Sequence, residues 1–344
     1  MVDLAAFLRT SGFDLDTAVT LAQASAAAYW PANKVASWAQ GEGGFNKSKF
    51  FDSGSVQGYW CTAGDVALLA FRGTSNPGQW LRDARFFPAR HDWGRVHIGF
   101  RNGVAELERE LAEFDDIASA AKHVWLTGHS LGGALAVIAA ARLKMKKGIS
   151  AFLHTYGQPA LGLNSFAERF SVEMPSRLWR FVNQSDIVTR VPPLPYRHTG
   201  IVKRIVRPSI LQAATRASAA PPTAAAAVFK AATAGGATLE AATELAAAAA
   251  TFEEVIAGGA ALESANAVVA AGLGQPQFIE LDALPLTELE FSSLQFALGA
   301  AAPPEARGPA LEGAIPFIAD HAIGDYIQLL KDIRDAAGRV RPAA

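Results

Sequence analysis

Gly128-His129-Ser130-Leu131-Gly132 follows the apolar run His123-Val124-Trp125-Leu126-Thr127 and leads directly into Gly133–Arg142, a stretch of helical composition. A strand, a sharp turn and a helix in succession are the context that a G-x-S-x-G nucleophile elbow requires. Glycines on both sides of the serine remove Cβ atoms that so tight a turn would crush. The turn lifts the Ser130 hydroxyl above the carboxyl end of its strand. The helix behind it offers unpaired N–H groups and the positive end of a dipole, and both favour an anion forming at an attacked carbonyl. Ser130 is therefore the candidate nucleophile. The bland alternative is a Gly-rich strand–helix turn holding an inert serine.

A hydroxyl needs a base to become a nucleophile, and the base needs a carboxylate to orient it. In hydrolases built on such an elbow the chain order is serine, then acid, then histidine. Of the seven histidines, His91, His97, His123 and His129 precede the nucleophile, and His154 precedes any good acid. His198 and His321 remain. For the acid, Asp186 follows the apolar strand Leu178–Val182 after the polar turn Asn183-Gln184-Ser185, on the sheet edge where ligands bind in open α/β folds. Glu168 and Glu173 lie in a helix-like stretch and read as solvated. Between the histidines, His198 enters the strand Ile201–Val206, whereas His321 sits in the loop-to-helix transition Ile318–Tyr326 with freedom to approach a serine. The residues favour His321 and leave His198 open.

Around the elbow, short apolar runs suit strands: Val56–Thr62, Val66–Phe71, Val124–Thr127, Ile149–Tyr156, Leu178–Val182 and Ile201–Val206. Ala63-Gly64 marks an antiparallel hairpin between the first two. Helix-like Gly103–Phe114, Leu131–Lys146 and Ser165–Glu173 alternate with the later ones, as parallel crossover units do. Asp14–Tyr29 reads as an opening helix with Pro31 just beyond it, and Trp38–Ser55 as irregular surface. The expected fold class is α/β: a mixed, mostly parallel sheet with helices on both faces. After Arg207-Pro208 the composition changes abruptly. Roughly a third or more of residues 209–274 are alanine, which predicts helices broken at Pro221-Pro222, Gly235-Gly236 and Gly258-Gly259. The expected organisation is a core over 1–208, an Ala-rich helical insertion over 209–275 and a return to the core over 276–344 that carries the histidine. Close helix packing is the plain reading of the insertion; a cap over the site or a contact surface are the others.

The chain has 344 residues, half of them hydrophobic and 18% charged, with a formal net charge of −1. That composition can bury a large core and gives no sign of a nucleic-acid partner. Cys61 is the only cysteine, so no intrachain disulfide forms. With no secretory leader evident in the first residues and no ordinary spanning helix, a cytoplasmic location is the expectation. Metal-ligand spacings and the Walker and dinucleotide glycine patterns are absent, so no metal and no cofactor is expected.

The elbow, together with Phe71-Arg72-Gly73-Thr74, Trp80-Leu81-Arg82-Asp83, Val96–Phe100, Thr155-Tyr156-Gly157-Gln158-Pro159, Phe181-Val182-Asn183 with Asp186, and Asp320-His321 with Tyr326, resembles the class 3 lipases, which include the fungal triacylglycerol lipases. The opening helix Ala24–Tyr29 is similar too. The resemblance covers about Leu21 to Arg207 and again Ile315 to Leu330. It implies an α/β-hydrolase fold, a Ser130-Asp186-His321 triad and an oxyanion hole at Thr74 and the Leu131 N–H. It also implies a short amphipathic lid over Asn76–Phe87, in which Asp83 and Trp80 support the oxyanion loop or the lid. His97 and His198 become structural. The implied activity is hydrolysis of carboxylic esters, acylglycerols foremost, on an ester or lipid substrate with transient contact at a membrane or lipid-droplet surface. A phospholipase or acyl thioesterase with the same triad is one alternative; a non-catalytic scaffold using the Ala-rich lobe is another. The long Ala-rich stretch before His321 departs from the family's connection.

Overall fold

A computed structural model describes residues 4–76, 80, 85–183, 186–206, 277–279 and 321–340. The Ala-rich segment 209–275 and Asp83 lie outside them. An eight-stranded sheet organises the chain, in the order β1-β2-β3-β6-β7-β8-β9-β10. The strands are β1 (Lys47–Asp52), β2 (Gln57–Ala63), β3 (Val66–Phe71), β6 (His123–His129), β7 (Phe152–Tyr156), β8 (Leu178–Asn183), β9 (Ile201–Val206) and β10 (Gln277–Ile279). A separate hairpin joins β4 (Pro88–His91) and β5 (Gly94–His97). β1, β2 and β3 pair antiparallel; β3, β6, β7, β8 and β9 pair in parallel; β10 returns antiparallel on β9. The Ala63-Gly64 turn joins β2 to β3 as the dipeptide suggests, with Gly64 at φ 60°.

Both sheet faces are covered, which is why the central strands β3, β6, β7 and β8 are buried along their length rather than on alternate residues. On one face lie α3 (Ile98–Glu106), α4 (Glu108–Ala120), α5 (Leu131–Lys147) and α6 (Asn164–Glu173). On the other lie α1 (Leu15–Ala27), α2 (Ala32–Gln40) and α7 (Ile323–Val340). The nucleophile helix α5 is buried from Gly132 to Leu143. Arg142 near its end forks onto Asp115 at 2.8 Å and Glu108 at 2.9 Å, which ties α5 to α4. α1 starts on Asp14, whose carboxylate accepts the Thr17 N–H at 2.8 Å as an N-cap.

Three local expectations change. Trp38–Ser55 is not irregular throughout: Trp38 lies in the last turn of α2 and β1 occupies Lys47–Asp52. Trp38 is held by edge-on contact with Tyr59 at 6.2 Å, a tertiary contact invisible in local composition. β1 reads as surface because it is an edge strand whose Lys47 and Lys49 face outward, the charges that keep sheet edges from pairing further. Gly103–Phe114 is not one helix, since buried Leu107 (φ −97°, ψ 18°) separates α3 from α4, its N–H bonding Val104 O at 3.2 Å. Strand β7 starts at Phe152 rather than Ile149.

His154 on β7 is an unusual core residue. It is fully buried among Trp125, Trp179 and Phe181, and neither ring nitrogen has a partner. Burial pushes it from 6.5 down to about 3, so the folded protein holds it neutral. The unfolded chain takes up a proton as pH drops through the ordinary histidine value, so stability is lost as pH falls from about 6.5 towards 3. His154→Phe is expected to flatten the pH dependence of unfolding free energy in that window. It should also stabilise the protein by about 1–3 kcal/mol at neutral pH by removing unpaired buried nitrogens. Urea denaturation of both proteins at pH 5 and 7.5 checks this; an unchanged pH slope would contradict it.

Candidate active site

The elbow sits at the end of β6, fourth of the eight strands in spatial order. Ser130 has φ 58° and ψ −132°, one of two described non-glycine residues with positive φ, and its side chain is 1% exposed. Such backbone costs of order 1–3 kcal/mol and persists only where the surroundings enforce it. Here a Cβ on Gly128 would lie 2.3 Å from Gly132 backbone atoms, and one on Gly132 would lie 2.3 Å from Phe71 O. The flanking glycines thus let the helix fold back on its strand and press against the end of β3. Ser130 N–H bonds Tyr156 O at 2.9 Å, locking the elbow to the neighbouring strand.

The acid comes from the loop after β8. Asp186 is buried, and its carboxylate accepts three hydrogen bonds: Val188 N–H on Oδ1 at 2.9 Å, and Tyr326 OH at 2.7 Å and His321 Nδ1–H at 2.8 Å on Oδ2. Tyr326 in turn accepts the Asn183 N–H at 2.9 Å. With Nδ1 held by Asp186, His321 keeps Nε2 buried and without a hydrogen-bond partner. One turn, Tyr156-Gly157, touches both the elbow and the imidazole: Tyr156 O accepts the Ser130 N–H at 2.9 Å, and Gly157 packs on His321. A Cβ on Gly157 (φ 58°) would be 2.8 Å from Asp186 Oδ2, His321 Cε1 and His321 Nδ1. His198 does not share this place. Its Nε2–H bonds Thr189 O at 2.6 Å, and Thr189 Oγ1 donates to Asp186 O at 2.7 Å, so His198 braces the acid loop from behind.

The Arg72–Thr74 loop lies against the elbow, for a Cβ on Gly73 would be 2.5 Å from His129 O and 3.0 Å from Ser130 Cβ. Thr74 follows directly, its Oγ1 accepting the Asn76 N–H at 3.2 Å, and Leu131 opens α5. Backbone N–H groups from these two segments can converge on an oxygen above Ser130. Trp80 is half-buried, packs on the α3–α5 core and stands 6.1 Å from Phe86. Phe87 beside it is 62% exposed. Asp83 is outside the described residues. His97 is packed on Phe100 at 4.4 Å and bonds Arg85 O at 3.1 Å.

One support escapes a reading of the sequence alone. His129 donates Nε2–H to His321 O at 2.6 Å and accepts Tyr29 OH on Nδ1 at 2.8 Å, and its ring lies 4.5 Å from that of His321. Burial and the His321 ring hold His129 well below the ordinary histidine range, so it is a neutral strut for the loop that carries His321. Chain order discards His129 as a base; no sequence pattern signals its second use. Tyr326, by contrast, stands one helical turn into α7. Tyr326→Phe is expected to lower kcat on an ester about tenfold with KM changed less than twofold, because it removes a hydroxyl donor from Asp186 Oδ2 and frees the carboxylate to turn. Steady-state kinetics on an aryl ester separates the two parameters, and a change confined to KM would argue against a positioning role.

Residues 68–196 match the family described as Lipase (class 3). A lipase of Rhizomucor miehei is 37% identical over 138 residues, covering 36% of this chain and 37% of its own length. A secreted mono- and diacylglycerol lipase of Fusarium solani is 34% identical over 140 residues, 38% of this chain and 41% of its own length. The aligned region thus spans about two fifths of these relatives. The Rhizomucor miehei lipase–propeptide complex superposes with a TM-score of 0.48 at 26% identity, covering 56% of this chain and 68% of that one.

Proposed function

We propose that this chain, whose residues 68–196 match the family described as Lipase (class 3), is a serine hydrolase of carboxylic esters whose substrates are acylglycerols. His321, held through Nδ1 by Asp186 with Nε2 unengaged beside the elbow, is the observation that carries the reading. His321 Nε2 takes the Ser130 proton as Oγ attacks the ester carbonyl. Asp186 fixes the ring's orientation and stabilises the imidazolium. N–H groups of Thr74 and Leu131 hold the oxyanion, an arrangement in which each donor contributes about 3–4 kcal/mol. The alcohol leaves with the proton returned by His321, and water, deprotonated by the same imidazole, releases the acid. The relatives named for mono- and diacylglycerol hydrolysis support acylglycerols as the substrate class. Exposed Phe87, next to Phe86 and Trp80, is the apolar point at which a lipid surface is met.

Hydrolysis of mono-, di- and triacylglycerols, phospholipids and acyl thioesters, measured side by side, tests the substrate class; fastest turnover of a phospholipid or thioester would replace it. His321→Ala is expected to lower kcat on an aryl ester by at least about three orders of magnitude, and His198→Ala by less than tenfold. The reverse ranking would move the base to His198. Failure of a serine-directed phosphonate to label Ser130 in folded protein would favour a non-catalytic scaffold.

A further inference from the structure

The triad stands at the carboxyl ends of the parallel strands. At their amino ends, about 20 Å along β6 from Ser130, lies a cleft of about 260 Å³. Lys122 lines it from the turn before β6, Lys147 from the end of α5 and Arg177 from the turn before β8. Among the described residues no carboxylate lines it. Arg177 is half-buried, and its guanidinium lies 4.0 Å from the centre of the Phe152 ring. Stacking uses one face of that planar group and leaves the N–H donors on its edge free. Among the described residues none of those donors meets an acceptor. The backbone that presents Arg177 is fixed: its carbonyl accepts the Leu153 N–H at 2.7 Å, and Ser176 before it turns the chain at φ 52°.

Charge decides what kind of ligand fits. Lys122 also has no ionic partner among the described residues, while its backbone N–H is tied to Asp65 O at 2.9 Å. Lys147 reaches Asp116 at 3.1 Å, but that carboxylate is 81% exposed and the bond is correspondingly weak. The carbonyl end of α5 does not account for these cations. Lys144 already serves it, donating Nζ–H to Gly148 O at 3.3 Å, and Lys122 and Arg177 stand on other elements. Two unpaired cations and a third loosely held one exceed what a single carboxylate can neutralise. A phosphate monoester carries a charge of about −1.5 to −2 at neutral pH and offers three acceptor oxygens. Two of them match the arginine fork, and the third is left for an ammonium group. We propose that this cleft binds the phosphate of a small phosphomonoester. Arg177 forks two oxygens, Lys122 and Lys147 hold the third, and the short organic body rests on Ile149 and Ala121. None of these residues belongs to the candidate active site, and the inference stands whether or not the chain hydrolyses esters.

The test is calorimetric titration of the full chain with glycerol 1-phosphate and, below its micellar concentration, with octyl phosphate. Saturable binding at one site is expected. Tighter binding of octyl phosphate would assign the phosphate to a lipid head group, and tighter binding of glycerol 1-phosphate to a soluble ester; either order supports the site. Arg177→Gln should raise Kd about tenfold or more and Lys122→Gln about threefold. Arg177→Lys keeps the charge without the fork and should fall between wild type and Arg177→Gln. Glycerate and octyl sulfate, matched bodies with a single charge, should bind at least about tenfold more weakly. Glycerol 1-phosphate should also slow hydrogen exchange in peptides spanning 147–153 and 175–179, a readout that needs no variant to fold. Absence of saturable binding up to about 10 mM would overturn the proposal. So would a Kd unchanged in both glutamine variants, equal affinity for octyl sulfate, or exchange protection confined to peptides around Ser130.

Discussion

Ser130→Gly should abolish ester hydrolysis and make the protein more stable. Loss of the attacking oxygen leaves only binding and oxyanion stabilisation, so kcat on an aryl ester is expected to fall by about three to six orders of magnitude. The stability gain comes from the backbone. Serine at φ 58°, ψ −132° sits where a Cβ is strained, whereas glycine is at ease there. Relief is offset by the extra freedom that glycine gives the unfolded chain, leaving a gain of about 1 kcal/mol, roughly 2–4 °C in Tm for a chain of this size class. Calorimetry and kinetics on the same preparations read both effects. A dead variant that is also markedly less stable would mean that Ser130 holds the turn together rather than performing chemistry on it. The opposite signs matter because a residue kept for folding does not cost stability.

How much of this geometry can be read from residues alone depends on how local its causes are. The elbow is legible because its determinants are contiguous: a strand, two glycines around a serine, and a helix, each setting the next. The parallel strands are legible because burial on both faces makes them largely apolar runs, unbroken in Val66–Phe71 and interrupted only by Arg180 in Leu178–Val182. β1 is not, because the features of an edge strand are solvent-facing charges that look like loop. The break at Leu107 is equally hidden, since the residues around it have good helical character and only the core's demand for that leucine bends the chain. For the base, chain order narrows seven histidines to two and goes no further. What separates His321 from His198 is which carbonyl or carboxylate each ring faces, and that is set by packing of α7 on α1 across more than a hundred residues of intervening chain. His129 shows the same limit from another side: adjacent to the nucleophile, it braces a loop 192 residues away.

Gly157→Ala should be nearly as damaging as losing a reacting group, although residue 157 takes no part in the reaction. Its φ of 58° alone would cost an alanine about 1 kcal/mol. The added Cβ would also fall 2.8 Å from Asp186 Oδ2 and from two atoms of the His321 ring, closer than a real Cβ approaches anything. Asp186 cannot retreat without breaking its bonds to Val188 N–H and Tyr326 OH, and His321 cannot without leaving its bond to His129 through the main chain. Displacement of the pair by a fraction of an ångström to about 1 Å follows, and a misplacement of that size costs about a hundredfold in rate. The expected result is a kcat reduced about 10²-fold or more with KM little changed, and stability lowered by about 1–3 kcal/mol. Gly148→Ala separates strain from displacement. Gly148 has φ 72° at the end of α5 and nothing within 4 Å of the position a Cβ would take. It should lose about 1 kcal/mol of stability and no activity. If the two variants lost activity equally, or if Gly157→Ala retained wild-type kcat, the Asp186–His321 pair would not be the assembly on which turnover depends.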